Sequence, residues 1–210
     1  DVVKDLITFL DNVLQFFIDH AGDEIKRARY SATQERSLGL GAMGLHSLYQ
    51  RNRIPFDSLQ AKTLNEEIFK KIKEDAVEQT KILGTEKGEA PDMEGTGKRN
   101  AHLLAIAPNA NSSMITGCSP SIEPHKANAY THRTRAGSHL IKNRYLKEEL
   151  EKINQDTPEV WTSIITNGGS VQHLDFINDS MKEVFRTAIE INQRVIIEQG
   201  GDRQKYLCQG

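Results

Sequence analysis

The sequence predicts an α/β fold rich in helix. Three observations predict it: apolar residues recur at helical spacing over several long stretches, one short apolar run, "HLLAIA", is closed by Pro108, and a polar loop and a further helix come after that run. A strand–loop–helix order points to α/β rather than to a bundle.

From the N-terminus, Leu6, Leu10, Val13, Leu14, Phe17 and Ile18 share one helical face, so the pattern predicts a helix from Val2 to His20. The charged stretch "GDEIKRARYSATQERS" reads as a linker. In "LGLGAMGLHSLYQRN", Leu38 to Asn52, three glycines stand where each costs a helix about 1 kcal/mol relative to Ala. They suit a loop entering a tightly packed helix, or close approach of a backbone or ligand. "IPFDS" reads as a turn with Asp57 or Ser58 as N-cap of a second helix carrying Leu64, Ile68, Ile72, Ala76 and Leu83. Gly84 to Gly97 reads as loop. The apolar run from Leu103 to Ala107 is the best strand. Thr157 and Pro158 read as N-cap and first residue of a helix with Val160, Trp161, Ile164 and Ile165. Asp179 or Ser180 caps a last helix, through Val184, Phe185, Ala188, Ile191 and Val195 to Gly200-Gly201.

Composition narrows the function classes. A length of 210 residues suits one domain or a large piece of a bigger one. With 37% hydrophobic and 27% charged residues the chain is expected to fold and to be soluble, and a net charge of −2 gives no basic field to recruit nucleic acid. No apolar run reaches membrane-span length and no signal-peptide pattern opens the chain. Cys118 and Cys208 make neither a disulfide framework nor a zinc pattern, so the expected compartment is a reducing cytoplasm. The chain opens at Asp1 inside a helical pattern and stops at "KYLCQG" as a new apolar segment begins, so both ends are expected to be truncations.

The chemistry gathers in one polar block, "APNANSSMITGCSPSIEPHKANAYTHRTRAGSH", Ala107 to His139. In α/β proteins ligands sit beyond the carboxyl ends of strands. "PNANSS" comes after such an end, its Asn and Ser side chains offer donors, and a helix starting near Ser113 adds a positive dipole end. That composition suits a phosphate cradle and also an ordinary turn, and it lacks the lysine of a Walker loop. Farther on, Glu123 is a candidate acid or base. His125, His132 and His139 lie seven apart, which fits no zinc motif. Arg133 and Arg135 alternate with Thr as anion ligands do, or as a solvated strand or loop does. Nothing nearby marks Cys118 as a nucleophile.

Three segments in order, "ERSLGLGAMGLHSLYQ", "RNAHLLAIAPNANSSMITGCSPSIEPHKANAYTHRTRAGSHLIKN" and "TSIITNGGSVQHLDF", resemble the large, catalytic subunit of class I ribonucleotide reductase, bacterial and phage members above all. "DRQKYLCQG" fits the start of its last barrel strand, and the resemblance covers essentially the whole chain. It implies a helix-rich C-terminal part of the ribonucleotide reductase α/β barrel, with residues 1–210 a partial barrel domain. The implied activity is reduction of ribonucleoside diphosphates to 2′-deoxyribonucleoside diphosphates, an oxidoreductase step of deoxyribonucleotide biosynthesis for DNA replication.

The resemblance assigns the substrate-diphosphate loop to Pro108, Asn109, Ala110, Asn111, Ser112 and Ser113. The family often has Ser or Thr where Asn109 and Asn111 stand, and amide N–H groups can replace those hydroxyl donors. "SPSIEP" is expected to be structural. The radical cysteine, the disulfide-forming cysteine and the allosteric nucleotide (ATP) sites lie upstream of Asp1 in the family's order, and the radical-passing tyrosines lie downstream of Gly210. Neither Cys118 nor Cys208 matches a family redox cysteine, so no catalytic residue and no metal ligand is assigned here. The implied partners are the ribonucleoside diphosphate, an upstream large-subunit segment, a small subunit holding the radical centre, and a thioredoxin- or glutaredoxin-type reductant, in the cytoplasm (of a host, if phage-encoded). No cofactor is expected in this chain, which alone is expected to be inactive. The competing reading is a stand-alone binding module for phosphorylated small molecules. A helical interaction protein ranks last.

Overall fold

The computed structural model describes residues 1–209. The chain forms two compact units. One comprises residues 1–41, 64–107 and the segment from Gly200 onward; the other comprises residues 42–63 and 108–199.

The first unit carries helix α1 (Val2–His20), as the periodicity predicts, with the Asp1 carboxylate accepting from Val3 N–H at 3.1 Å as N-cap. The expected linker after it is instead a 3₁₀ turn (Asp23–Ile25) and helix α2 (Lys26–Glu35). Helix α2 buries no residue, so no apolar period revealed it. Polar anchors hold it: Arg29 donates to the Ala21 carbonyl at 2.7 Å and to Asp23 at 3.1 Å. The second predicted helix, α4 (Leu59–Lys87), runs one turn past its expected end. Gly84 lies inside it because the backbone of Gly97 passes 2.8 Å from where a Cβ would stand.

The predicted strand is real but minimal. Leu104 bridges Leu40 and Ala105 bridges Gln209, both in parallel. Leu38 and Leu40 N–H donate to His102 and Leu103 carbonyls at 2.8 and 2.9 Å, and Ile106 N–H donates to Gln209 at 3.0 Å. Leu103 and Leu104 are buried with Ile7, Ala76 and Leu83, as a parallel ladder covered by helices requires. The glycine run joins this ladder. A Cβ on Gly41 would stand 2.5 Å from the Ala105 carbonyl, so close backbone approach explains that glycine.

A buried carboxylate gathers these elements. Asp11 is fully buried on α1. It accepts from Arg36 Nε and Nη2 at 3.1 and 3.0 Å, from Arg99 Nε at 2.9 Å and from Asn100 Nδ2 at 3.1 Å. Burial pushes the Asp11 carboxyl up, but the bonds from Arg99 and Asn100 and the charge of Arg36 outweigh it and hold it below its ordinary range. Arg99 also donates to the carbonyls of Lys87 and Gly88 at 2.9 Å, closing the end of α4.

The second unit begins with α3 (Leu45–Arg51). After it come α5 (Ala110–Thr116), strands β1 (Ala129–Thr134) and β2 (Gly137–Lys142), and helices α6 (Arg144–Lys152), α7 (Pro158–Thr166) and α8 (Asp179–Val184). β1 and β2 form an antiparallel hairpin, the strand alternative for the Arg/Thr alternation. Helix α6 has no counterpart in the sequence reading; Asn143 caps it and Leu146 and Leu150 bury its inner face. The Thr157–Pro158 start of α7 is as expected, with Trp161 fully buried. The long last helix is corrected to two, α8 and α9 (Gln193–Gln204), and α9 runs through Gly200 and Gly201. Glu190 makes the break: its carboxylate takes the Thr187 N–H and hydroxyl at 2.7 and 2.8 Å, and the chain leaves the helical path. The cap of α8 is Asn178, one residue before the expected position.

Asp11→Ala leaves the Arg36 and Arg99 guanidinium groups buried without their anion. Urea unfolding is expected to show a loss of about 3–5 kcal/mol. Arg53→Ala, which breaks an ion pair whose arginine is exposed, is expected to cost under about 1 kcal/mol in the same assay.

Candidate functional site

The six residues assigned to the phosphate loop start helix α5. Asn109 sits in the left-handed region at φ 53°, which turns the chain sharply after Pro108, and Gly117 at φ 67° ends the helix. The first helical bond runs from Ser113 N–H to the Asn109 carbonyl at 2.9 Å. The amides of Ala110, Asn111 and Ser112 precede it and have no acceptor within the helix. Asn111 and Ser112 are exposed, Pro108 too, and Asn109 is half-buried. Ser113 is buried, its hydroxyl donating to Ala110 O at 3.1 Å, so it shapes the turn instead of offering a donor. The helix starts three residues earlier than the expected Ser113, which makes the loop itself the helix N-terminus.

A cavity of about 300 Å³ lies along one side of α5. Ala110, Ser113 and Gly117 line one wall, and Asn128, Tyr130, Ile141 and Asn143 line another. Of the six predicted residues, only Ala110 and Ser113 reach it.

Backbone amides and buried hydroxyls fix the segment after α5. Ser119 N–H donates to Ser47 Oγ at 2.7 Å and Ser47 N–H donates to Ser119 Oγ at 3.1 Å. Gly44 N–H reaches Ser119 O at 2.9 Å and Leu45 N–H reaches Ser121 O at 3.4 Å. The "SPS" residues therefore satisfy the first amides of α3, and the expected structural role of this segment holds. Gly44 precedes α3 at φ 86°, where a side chain would be strained and would press on Cys118.

Two histidines complete the network. His46, fully buried, accepts from His125 N–H through Nδ1 at 2.8 Å, which leaves its proton on the buried Nε2. Burial, and then the neighbouring His125, push the His46 pKa well below its ordinary value. Ser47 Oγ lies 3.2 Å from His125 Nε2. A hydroxyl has one proton and two acceptor positions, so either Ser47 Oγ or the neutral His125 ring can supply the proton of this bond. Burial pushes the His125 pKa down to about 4. Asn128 and Asn143 brace the hairpin base: Asn143 Nδ2 donates to Asn128 Oδ1 at 3.0 Å and to Gln50 at 2.9 Å, and Asn128 Nδ2 donates to Phe185 O at 2.7 Å.

Neither cysteine stands in a redox pair. Cys118 Sγ lies 3.1 Å from Thr116 Oγ1. Burial pushes the Cys208 thiol up, but the Leu103 and Leu104 amides and Lys73 outweigh it and lower its pKa. Glu123 is exposed, and its backbone N–H closes a turn on Pro120. Among the described residues, no group of three or more His, Cys, Asp and Glu side chains is placed to hold a metal ion, and no helix is long and apolar enough to cross a membrane.

The family model for the ribonucleotide reductase barrel domain matches residues 1–97 and 91–210, the whole chain. The chain belongs to the ribonucleotide reductase barrel family. A Frog virus 3 (isolate Goorha) protein bearing the name of a ribonucleoside-diphosphate reductase large subunit is 53% identical over 100% of this chain and 38% of its own length. The ribonucleoside-diphosphate reductase large subunit of Invertebrate iridescent virus 3 is 47% identical over 98% of this chain and 33% of its own. The solved class Id ribonucleotide reductase alpha subunit of Actinobacillus ureae superposes with a TM-score of 0.91 at 42% identity, covering 99% of this chain and 39% of that one. The reductase barrel segment thus spans between a third and two fifths of these relatives. Its helix-rich α/β fold is the expected one.

The half-buried His125 makes the stability of this reductase segment depend on pH. It titrates near its ordinary 6.5 when unfolded and near 4 when folded, so its contribution is intact above pH 6.5 and is lost as pH falls toward 4. The loss is on the order of 3 kcal/mol. Urea midpoints at pH 7.5 and 4.5 are expected to differ less in His125→Gln than in the native chain.

Proposed function

We propose that this chain is part of a ribonucleoside-diphosphate reductase large subunit and that residues 108–113 hold the substrate's diphosphate. The observation that carries the reading is the loop geometry within a chain that the barrel family matches from end to end. Three consecutive amides, at Ala110, Asn111 and Ser112, precede the first helical bond and sit on an exposed turn. Diphosphate oxygens accept from such amides, and the helix end favours their charge. The carboxamides of Asn109 and Asn111 and the Ser112 hydroxyl add donors where the family often has hydroxyls. Ser113 holds the turn.

In this reading the chain binds and orients; it does not supply the radical. A cysteine of an upstream large-subunit segment takes the ribose 3′ hydrogen, a small subunit delivers the radical, and a thioredoxin- or glutaredoxin-type dithiol restores the reduced state. Effector nucleotides, ATP among them, bind upstream. The setting is the cytoplasm. Cys118 and Cys208 stay outside the electron path.

The test is ribonucleoside-diphosphate reduction with a dithiol donor and the small subunit. This chain is assayed alone and then with the rest of the large subunit. Activity is expected only in the complete mixture. Asn111→Ala with Ser112→Ala is expected to lower kcat/KM by roughly tenfold to a hundredfold, the loss of one or two bonds to a charged group. Turnover by this chain and the small subunit alone would assign chemistry to Cys118 or Cys208 and overturn the reading. Tight binding of the nucleotide by this chain alone, with no activity in any mixture, would favour a stand-alone phosphate-binding module.

A further inference from the structure

Seven residues separate His132 from His139, a spacing that matches no linear zinc motif. The hairpin gives the spacing another meaning. The chain turns at Arg135 and Ala136, and the antiparallel register sets His132 directly opposite His139. Opposed residues leave the same face of a hairpin, with Cβ atoms about 4.5–5.5 Å apart. Imidazoles at that separation can rotate onto one ion, each through a nitrogen at about 2.0–2.1 Å.

We propose that His132 and His139 form a two-imidazole site for a divalent transition-metal ion, holding Cu²⁺ more tightly than Zn²⁺. The order reflects the preference of nitrogen ligands among these ions. The neighbouring rungs favour the site. On the same face, Tyr130 pairs with Ile141 and Thr134 pairs with Gly137, so no charged side chain flanks the pair. Arg133 belongs to an alternate rung on the opposite face. So does Lys142, whose ammonium lies 3.9 Å from Asp156 and 4.8 Å from the centre of the Trp161 ring. Gly137 leaves open space on the turn side of the pair, where water completes the ion's shell. His139 is exposed and His132 half-buried, so an ion reaches both from solvent. The braced asparagines at the hairpin base hold the register that the chelate needs. This inference does not rest on the reductase reading.

Titration calorimetry of the full chain with Cu²⁺ and then Zn²⁺ tests it. One Cu²⁺ per chain is expected to bind through the pair. His132→Asn and His139→Asn are each expected to weaken binding at least roughly tenfold, the cost that losing even a ligand's supporting partner brings. Substoichiometric Cu²⁺ is expected to broaden both imidazole proton signals together. Both positions lie at the surface, and circular dichroism of the variants checks that the fold persists. Combining His139→Asn with Leu140→His moves the imidazole to the opposite face and is expected not to restore binding. Affinity unchanged in either single variant, restoration by the shifted histidine, or broadening centred on other histidines would overturn the proposal.

Discussion

The reciprocal bond between Ser47 and Ser119 is the constraint on which the candidate site depends. Each residue's amide donates to the other's hydroxyl, across 72 positions of sequence. Both side chains are buried, and a buried hydroxyl or amide left without its partner costs about 1–3 kcal/mol. The exchange therefore fixes where the chain goes after α5. Ser47 then orients His125, whose amide in turn fixes His46. The helix bearing the exposed amides is only seven residues long, too short to be stable by itself. The anchored segment from Ser119 onward sets its position more than its own propensity does.

The first unit answers the same problem with charge. A single carboxylate gathers two guanidinium groups and an amide from two separated stretches of chain, at Arg36 and at Arg99-Asn100, and those stretches flank the short parallel ladder. A ladder of single-residue bridges has few backbone bonds of its own. The helices covering it must be held by other means, and the Asp11 cluster supplies them. Such a cluster is costly to assemble and more costly to break, which makes it a device of specificity as much as of stability.

How much of this was legible depends on the range of each signal. Helix α1 and the start of α7 were readable because apolar spacing and capping residues lie within a few positions of one another. Helix α2 was not, because it buries nothing. The break between α8 and α9 was hidden because Ile191 and Val195 continue an apparent apolar period, while Glu190 interrupts it by capturing Thr187. The loop at 108–113 was legible as composition and, through the family resemblance, as a candidate role. Its supports were not. Ser47 with Ser119, His46 with His125 and Gln50 with Asn143 pair across 72 to 93 positions, and no local pattern announces such pairs. The histidine spacing of seven shows the converse: it carried no meaning until the hairpin turn at Arg135 and Ala136 gave it one.

The central claim is that the amides opening α5 receive the substrate's diphosphate. The most direct measurement is site-resolved amide hydrogen exchange in a large subunit containing this segment, with and without a saturating ribonucleoside diphosphate. The account predicts that exchange at Ala110, Asn111 and Ser112 slows by at least about tenfold, as amides gain acceptors that the helix itself does not provide. Unchanged exchange at those three amides, with protection by bound nucleotide confined to other segments, would contradict it.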